Sequence, residues 1–339
     1  MSYFRAIPRL PSLMRLFSRE DRWLILINAD PDAMASALAL RRILSRRVHE
    51  AVIAKVNAVT RPDNLAMIRY ARIHMEDFSP DLPGRFSRLA LVDSQPGHHA
   101  LFRKLPFTLV IDHHPLESPV EAEYCDIRPE YGATSTLLTE YLYNLGVRPG
   151  KLLATALQFG IKTDTASFER HFSDVDLRAF RHLSRYADQA MLLRIARSAF
   201  HRRWLGLLAR ACAGMYSIKS GQYAFVGEVD NPDILVVVAD FLMQVYEIRW
   251  VAVAGVYGET VVIIFRSDGV SRDVGRFAAQ ISAGIGSGGG HKVMARAEFS
   301  LSVTEGADAE MFIWRRLNVP LKAARGASPQ SPPPGQDVA

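Results

Sequence analysis

The first half of the chain alternates short apolar runs with helical stretches, and several of the apolar runs end at an acidic residue. Residues 23–29 (WLILINA) read as a buried strand and 33–47 (AMASALALRRILSRR) as an amphipathic helix whose basic residues come late. Residues 51–56 read as a second strand, and 89–92 and 108–111 as two further short strands. Helices are expected at 133–145 and 151–161. Strands alternating with helices predict an α/β domain built on a mostly parallel sheet. In such sheets ligands sit beyond the carboxyl ends of the strands.

The pattern changes further on. Residues 174–217 are helix-compatible and rich in arginine, as expected for the end of a first domain and a helical connector. A strand at 223–229 then leads to a helix opened by Asp230-Asn231-Pro232. A β pair over 250–265 turns at Gly258-Glu259, and a helix (273–282), a glycine-rich loop and a strand (293–300) follow. The expected fold is therefore α/β, a parallel-sheet domain joined by a connector to a smaller α/β domain. The expected limits are an N-terminal extension (1–20), a first domain (21–190), a connector (191–220), a second domain (221–318) and a disordered tail rich in Pro and Ser (319–339). A length of 339 residues suits two domains, and 49% hydrophobic residues are ample for their cores.

Composition narrows the function classes. The only cysteines, Cys125 and Cys212, form no CxxC pair, which argues against a disulfide framework or a structural zinc site. No apolar run approaches the ~18 residues of a membrane span. The basic N-terminus is interrupted by Pro8 and Pro11 and has no apolar signal core, so a cytoplasmic location and no membrane partner are expected. A net charge of +6 favours an anionic partner. Oligomeric state is left open, a homodimer included.

The acidic residues at strand ends carry the chemistry. Asp30 and Asp32 follow the first strand in INADPDAMAS, Asp93 follows LALV, Asp112, His113 and His114 follow TLVI, and Asp164 lies in GIKTDTASF. Taken singly these are ordinary turn or helix-cap residues. Within one parallel sheet their strand ends converge, and so many carboxylates repel one another unless cations neutralise them. Carboxylate oxygens with one or two imidazoles suit Mn²⁺, Mg²⁺ or Fe²⁺. Two such ions about 3.5–4 Å apart would activate water and polarise a phosphoryl group.

The string Asp112-His113-His114-Pro115, preceded by TLVI, resembles the signature of the DHH phosphoesterases. Asp30-Pro31-Asp32-Ala33, Asp93, YGATSTLL (131–138) and GIKTDTASF around Asp164 are similar to other motifs of that superfamily, in the same order. Gly286-Ser287-Gly288-Gly289-Gly290-His291-Lys292 resembles the GGGH element of the DHH-associated domain, and Phe265-Arg266-Ser267 fits the same domain. The resemblance implies one Mn²⁺ or Mg²⁺ ion on Asp30 and Asp93 and a second on Asp32, Asp93, His113 and Asp164, with Asp93 bridging. It further implies that Asp112 orients the histidines and His114 faces the phosphate. One position departs from the family pattern: Leu26 stands where that pattern has a histidine four residues before Asp30. Asn28 is the candidate to replace it through its carbonyl oxygen, with a weakened first site.

The glycine-rich stretch has the composition of a phosphate cradle. Gly288, Gly289, Gly290 and His291, with Arg266 and Arg272 nearby in sequence, are the candidate substrate clamp, in a cleft between the domains. No ladder of interleaved basic and aromatic residues suggests a long single-strand channel. A small substrate is therefore expected: short oligonucleotides, pAp-like nucleotides, or linear or cyclic dinucleotides, as the similarity to nanoRNases and pAp phosphatases implies. Two alternatives stand beside it. One is a nucleotide-binding regulator with a degenerate metal centre, motivated by Leu26; the other is a RecJ-like single-strand exonuclease.

Overall fold

The computed structural model describes residues 3–116, 118–218 and 221–318, so the expected disordered tail (319–339) lies outside the described residues. The chain divides into two compact units, Met1–Ala199 and Phe200–Ala339.

The first unit is built on a six-stranded, all-parallel sheet. Its strands are β1 (Arg22–Ile27), β2 (Glu50–Lys55), β3 (Glu76–Asp77), β4 (Arg88–Val92), β5 (Leu109–Asp112) and β6 (Tyr124–Ile127). Its helices are α1 (Leu10–Arg15), α2 (Pro31–Leu44), α3 (Pro62–Ala71), α4 (Thr134–Asn144), α5 (Lys151–Asp164), α6 (Asp174–Leu183) and α7 (Gln189–Ala196). The strand order β3-β2-β1-β4-β5-β6 reverses direction between β1 and β4. At such a reversal the connections leave to opposite sides and open a crevice at the carboxyl edge.

Both faces of this sheet are buried, which is why its strands read as unbroken apolar runs. Ile25, Ile27, Val92 and Ile111 join Leu40, Leu138 and Leu157 from the helices in the larger core. Leu24, Leu26, Leu91 and Val110 point the other way, into a second cluster with Phe102 and Phe107. The expected surface extension is corrected here. Phe4, Ile7 and Leu13 are buried in the larger core, so the first residues are part of the unit.

The expected connector is likewise not a separate segment. Leu192 and Ile195 of α7 are buried in the first unit. The next helix, α8 (Leu205–Ala213), packs Ala211, Leu207 and Leu208 against the core of the second. Each helix is amphipathic, and each apolar stripe serves a different core.

The second unit carries a mixed six-stranded sheet in the order β11-β12-β10-β9-β8-β7. Its strands are β7 (Tyr216–Ile218), β8 (Gly221–Glu228), β9 (Trp250–Tyr257), β10 (Thr260–Ser267), β11 (Gly286–Gly290) and β12 (Met294–Ser300). Only β8 and β9 run parallel; the other pairs are antiparallel. Helices α9 (Asp233–Leu242), α10 (Val274–Ser282) and α11 (Ala309–Asn318) cover the sheet.

The expected glycine-rich loop is an edge strand. Gly288, Gly289 and Gly290 pair with Ala297, Arg296 and Ala295 of β12. Packing accounts for much of its glycine content. A Cβ on Gly288 would lie 2.4 Å from Ser282 Oγ and 2.5 Å from the Ala278 carbonyl oxygen of α10. Only a residue without a side chain lets helix and strand approach so closely.

Candidate metal centre

The carboxyl ends of β1, β4 and β5 deliver Asp30, Asp93 and Asp112, the start of α2 delivers Asp32, and the last turn of α5 delivers Asp164. Asp30 is the N-cap of α2, its Oδ1 accepting from the Ala33 amide at 2.9 Å. Asp32, in the first turn of the same helix and fully buried, serves a different helix. Its two oxygens accept from the amides of Thr134 (2.6 Å) and Ser135 (2.7 Å). The residue at the N-cap of α4 is Ala133, which has no capping group, so Asp32 satisfies from outside the amide donors that a helix start leaves unpaired. Gly160 of α5 makes this approach feasible: a Cβ there would fall 2.5 Å from Ser135 Oγ and 3.1 Å from Asp32 Oδ1.

Asp93 ends its strand in the left-handed region, φ 60°, where most side chains are strained and aspartate is tolerated. Its amide still donates to the Ile111 carbonyl at 2.9 Å, and the Thr134 hydroxyl donates to its Oδ1 at 2.7 Å. The segment after Asp164 is also strained, with Ala166, Ser167 and Phe168 all at positive φ. Such outliers persist where the surrounding structure holds them.

The two histidines are held differently. The Nδ1 of His113 lies 3.2 Å from the Tyr131 carbonyl, to which it donates, leaving Nε2 to face the carboxylates. That nitrogen is 3.1 Å from Asp164 Oδ2 and 3.7 Å from Asp93 Oδ1, yet it is buried without a directed hydrogen bond. His114 donates from Nδ1 to Asp112 Oδ1 at 2.8 Å. Gln95 Nε2 donates to the other oxygen of Asp112 at 2.8 Å and to the His114 carbonyl at 3.1 Å, clamping the pair.

The electrostatics record the crowding. Burial, reinforced by the charges of Asp164 and Asp32, pushes Asp30 up to about 7. Burial and Asp164 push Asp32 up to about 6. Asp93, buried and surrounded by Asp32, Asp30 and Asp164, is raised well above the carboxylate range. Asp112 is the exception: burial works to raise it, but the hydrogen bonds from His114 and Gln95 hold it below its ordinary value. Burial opposes the charge on His113, yet Asp164 and Asp32 push it up to about 9. The hydrogen bond to Asp112 raises His114.

Ligand atoms of Asp32, Asp93, His113 and Asp164 all lie within 4.8 Å of one another. Three carboxylates and an imidazole whose free nitrogen points among them form the donor set of a hard divalent cation. The residues therefore fit such an ion. Asp30 stands beside this set, close enough to repel Asp93, and is engaged as a cap. Leu26 is fully buried in the apolar cluster with Leu24 and Leu91, away from the carboxylates. Asn28, the candidate to replace the missing imidazole, is exposed just past the end of β1 at Ile27.

In the second unit, Arg266 pairs with Asp240 at 2.6 Å. The guanidinium of Arg272 lies over the rings of Trp250 (4.5 Å) and Phe277 (4.1 Å), and burial lowers its pKa. His291 is exposed at the turn between β11 and β12, its amide donating to the Met294 carbonyl at 2.7 Å.

Sequence reasoning did not single out Gln95 or His98, and it quoted Thr134 and Ser135 only within the YGATSTLL motif. His98 gathers with Asp112 and His114 into a second cluster of potential ligands, its ring centroid 5.4 Å from that of His114. Thr134 and Ser135 lie in the ATST run, where hydroxyl residues at a helix start are a readable signal.

Residues 23–161 match the DHH family, N-terminal domain. An uncharacterized protein of Methanocaldococcus jannaschii is 33% identical over 281 residues, 82% of this chain, and the chain spans 57% of that relative's length. The structure of an exopolyphosphatase-related protein from Bacteroides fragilis superposes with a TM-score of 0.70 at 16% identity, covering 94% of this chain and 97% of that one. At that identity the likeness establishes a shared fold. Residues 23–161 are thus similar to the N-terminal domain of the DHH family, and the chain shares its fold with the exopolyphosphatase-related protein.

Proposed function

We propose that the carboxylate cluster binds divalent metal ions, Mn²⁺ or Mg²⁺, and that the protein hydrolyses phosphoesters of small nucleotides or very short oligonucleotides. The observation that carries this reading is the convergence of Asp32, Asp93, His113 and Asp164 within 4.8 Å around an imidazole nitrogen without a hydrogen-bond partner. Asp32, Asp93, His113 and Asp164 would hold one ion; Asp30 and Asp93 would hold a weaker second. When bound, such ions lower the pKa of water and polarise a phosphoryl oxygen.

The chain's own groups supply the rest. Thr134 fixes Asp93 through its hydroxyl, and the α4 amides fix Asp32, so two of the ligands are oriented before any ion arrives. Asp112 sets the His114 tautomer and favours its charged form, which suits an anionic phosphate. His98, its ring centroid 5.4 Å from that of His114, places a further imidazole beside it. In the second unit, Arg266, Arg272, Gly288, Gly289, Gly290 and His291 are the groups proposed to bind substrate.

The test is hydrolysis of a panel comprising pApA, longer RNA and DNA oligomers, pAp, cyclic dinucleotides and pyrophosphate, with Mn²⁺ or Mg²⁺ and with Asp93→Ala as control. Turnover lost in the variant supports the proposal, and the best substrate narrows it. Absence of turnover across the panel refutes it. A second reading, a nucleotide-binding regulator, is favoured by the burial of Leu26 among apolar side chains, which leaves one ion site short of an imidazole. It predicts nucleotide binding without turnover.

A further inference from the structure

The helix pair that carries Asp32 and Asp164 has a second end. Asp32 is in the first turn of α2 and Asp164 is the last residue of α5, so the end of α2 and the start of α5 lie about 20 Å from the carboxylates at 1.5 Å per residue. At that far end is a cavity of about 490 Å³, within the roughly 300–1,000 Å³ typical of small-molecule sites. Leu38 and Leu152 are among its apolar lining residues, and Arg41, Arg42, Arg72 and Lys151 contribute its charge. These four cations come from three segments: the late basic face of α2, the residue that ends α3, and the start of α5. No acidic side chain lines the cavity among the described residues.

The charge there is poorly neutralised. Lys151 pairs with Asp188 at 2.9 Å. Arg41 donates to the His74 carbonyl at 3.3 Å, and burial lowers its pKa. Among the described residues, Arg41, Arg42 and Arg72 have no carboxylate partner. Arg72 is held in the left-handed conformation, φ 54°, closing α3 with its amide on the Ile68 carbonyl, which fixes its backbone beside the cavity. Arg41 is half-buried and Arg42 and Arg72 are exposed beside it, so an anion entering the cavity would give Arg41 the counterion it lacks and meet two further planar forks that match phosphate oxygens. The start of α5 adds partial positive charge of the same sign.

We propose that this cavity is a second ligand site, separate from the metal centre, that binds a nucleoside phosphate. The phosphate engages Arg41, Arg42 and Arg72, and the flat ring system lies on the aliphatic floor. This site does not depend on the hydrolytic reading of the carboxylate cluster.

The experiment is isothermal titration of the full-length, EDTA-treated protein with ADP, and in parallel with adenosine and with inorganic phosphate. ADP is expected to bind, with both partial ligands at least about tenfold weaker. Charge reversal by Arg42→Glu with Arg72→Glu is expected to weaken ADP by at least about tenfold, while Asp93→Asn leaves it unchanged. Both arginines are exposed, and an unchanged melting temperature, with Arg42→Gln/Arg72→Gln in parallel, separates lost binding from lost folding. The proposal is overturned by no ADP binding, by binding that survives charge reversal, by loss in Asp93→Asn, or by inorganic phosphate binding as tightly as ADP.

Discussion

The carboxyl edge of the first sheet and the glycine edge strand of the second are the two regions whose composition stands out most in the sequence. They reach that composition for different reasons. At the carboxyl edge, residues that repel one another are brought together and each is held by an unrelated part of the fold: Asp32 by the amides of α4, Asp93 by Thr134, Asp112 by Gln95 and His114. The arrangement is electrostatically unfavourable without a cation. In the glycine strand the arrangement is sterically favourable as it stands, because α10 lies where side chains would otherwise be. A cluster that strains against its surroundings points to a ligand more strongly than one that packs well.

The largest expected effect is at Asp32. Asp32→Asn replaces an acceptor oxygen with a donor facing the Thr134 and Ser135 amides and also removes a proposed metal ligand. Turnover of the best substrate should fall by more than about 100-fold, beyond the range typical of residues behind the ligands, and the melting temperature should drop with it. A variant that is destabilised but fully active would reduce Asp32 to a helix cap.

Thr134→Val leaves every ligand in place and removes only the hydroxyl on Asp93 Oδ1. Mn²⁺ affinity should fall by roughly 10–100-fold, with recovery in Thr134→Ser. Unchanged affinity in the valine variant would show that Asp93 is positioned by its backbone alone.

Gly288→Ala should destabilise the second unit by about 1–3 kcal/mol, since the added carbon meets the Ala278 carbonyl at 2.5 Å. Gly289→Ala meets nothing within 4 Å and should change stability by less than about 0.5 kcal/mol. If Gly289→Ala nonetheless raises KM, the strand binds substrate as well as packing; equal destabilisation by both would remove α10 as the reason for the glycine at 288.

The smallest effect is a pH dependence. Asp30 and Asp32 are raised from 3.8 to about 7 and about 6 in the folded, metal-free protein, so unfolding releases protons there as pH rises above 4. Stability contributed by these groups is full below pH 4 and is lost as pH climbs toward 7. His113, raised to about 9, acts in the same direction at higher pH. Added Mn²⁺ should therefore raise the melting temperature more at pH 8 than at pH 5, and an equal rise at both would argue against a carboxylate cation site.

Most of the parallel sheet and its acidic edge was legible in the sequence, because buried parallel strands read as short apolar runs and their ends are marked by Asp93 and Asp112. Helix α3 was missed although Pro62 and Asp63 at its start are ordinary helix-opening residues. β6 is four residues with polar and apolar positions mixed, too short for any periodicity. The roles of Thr134, Ser135 and Gln95 were not legible, since each depends on a partner distant in sequence or on a loop geometry. The glycine-rich run was misread because local composition does not reveal that a helix packs on it.

Binding of Mn²⁺ to the full-length protein at pH 7.5, followed by the electron paramagnetic resonance signal of free Mn²⁺, tests the cation site most directly, with wild type and Asp93→Asn side by side. Saturable binding is expected for the wild type, lost in the variant or retained only with greatly weakened affinity. Identical binding curves, or no binding by the wild type, would contradict it.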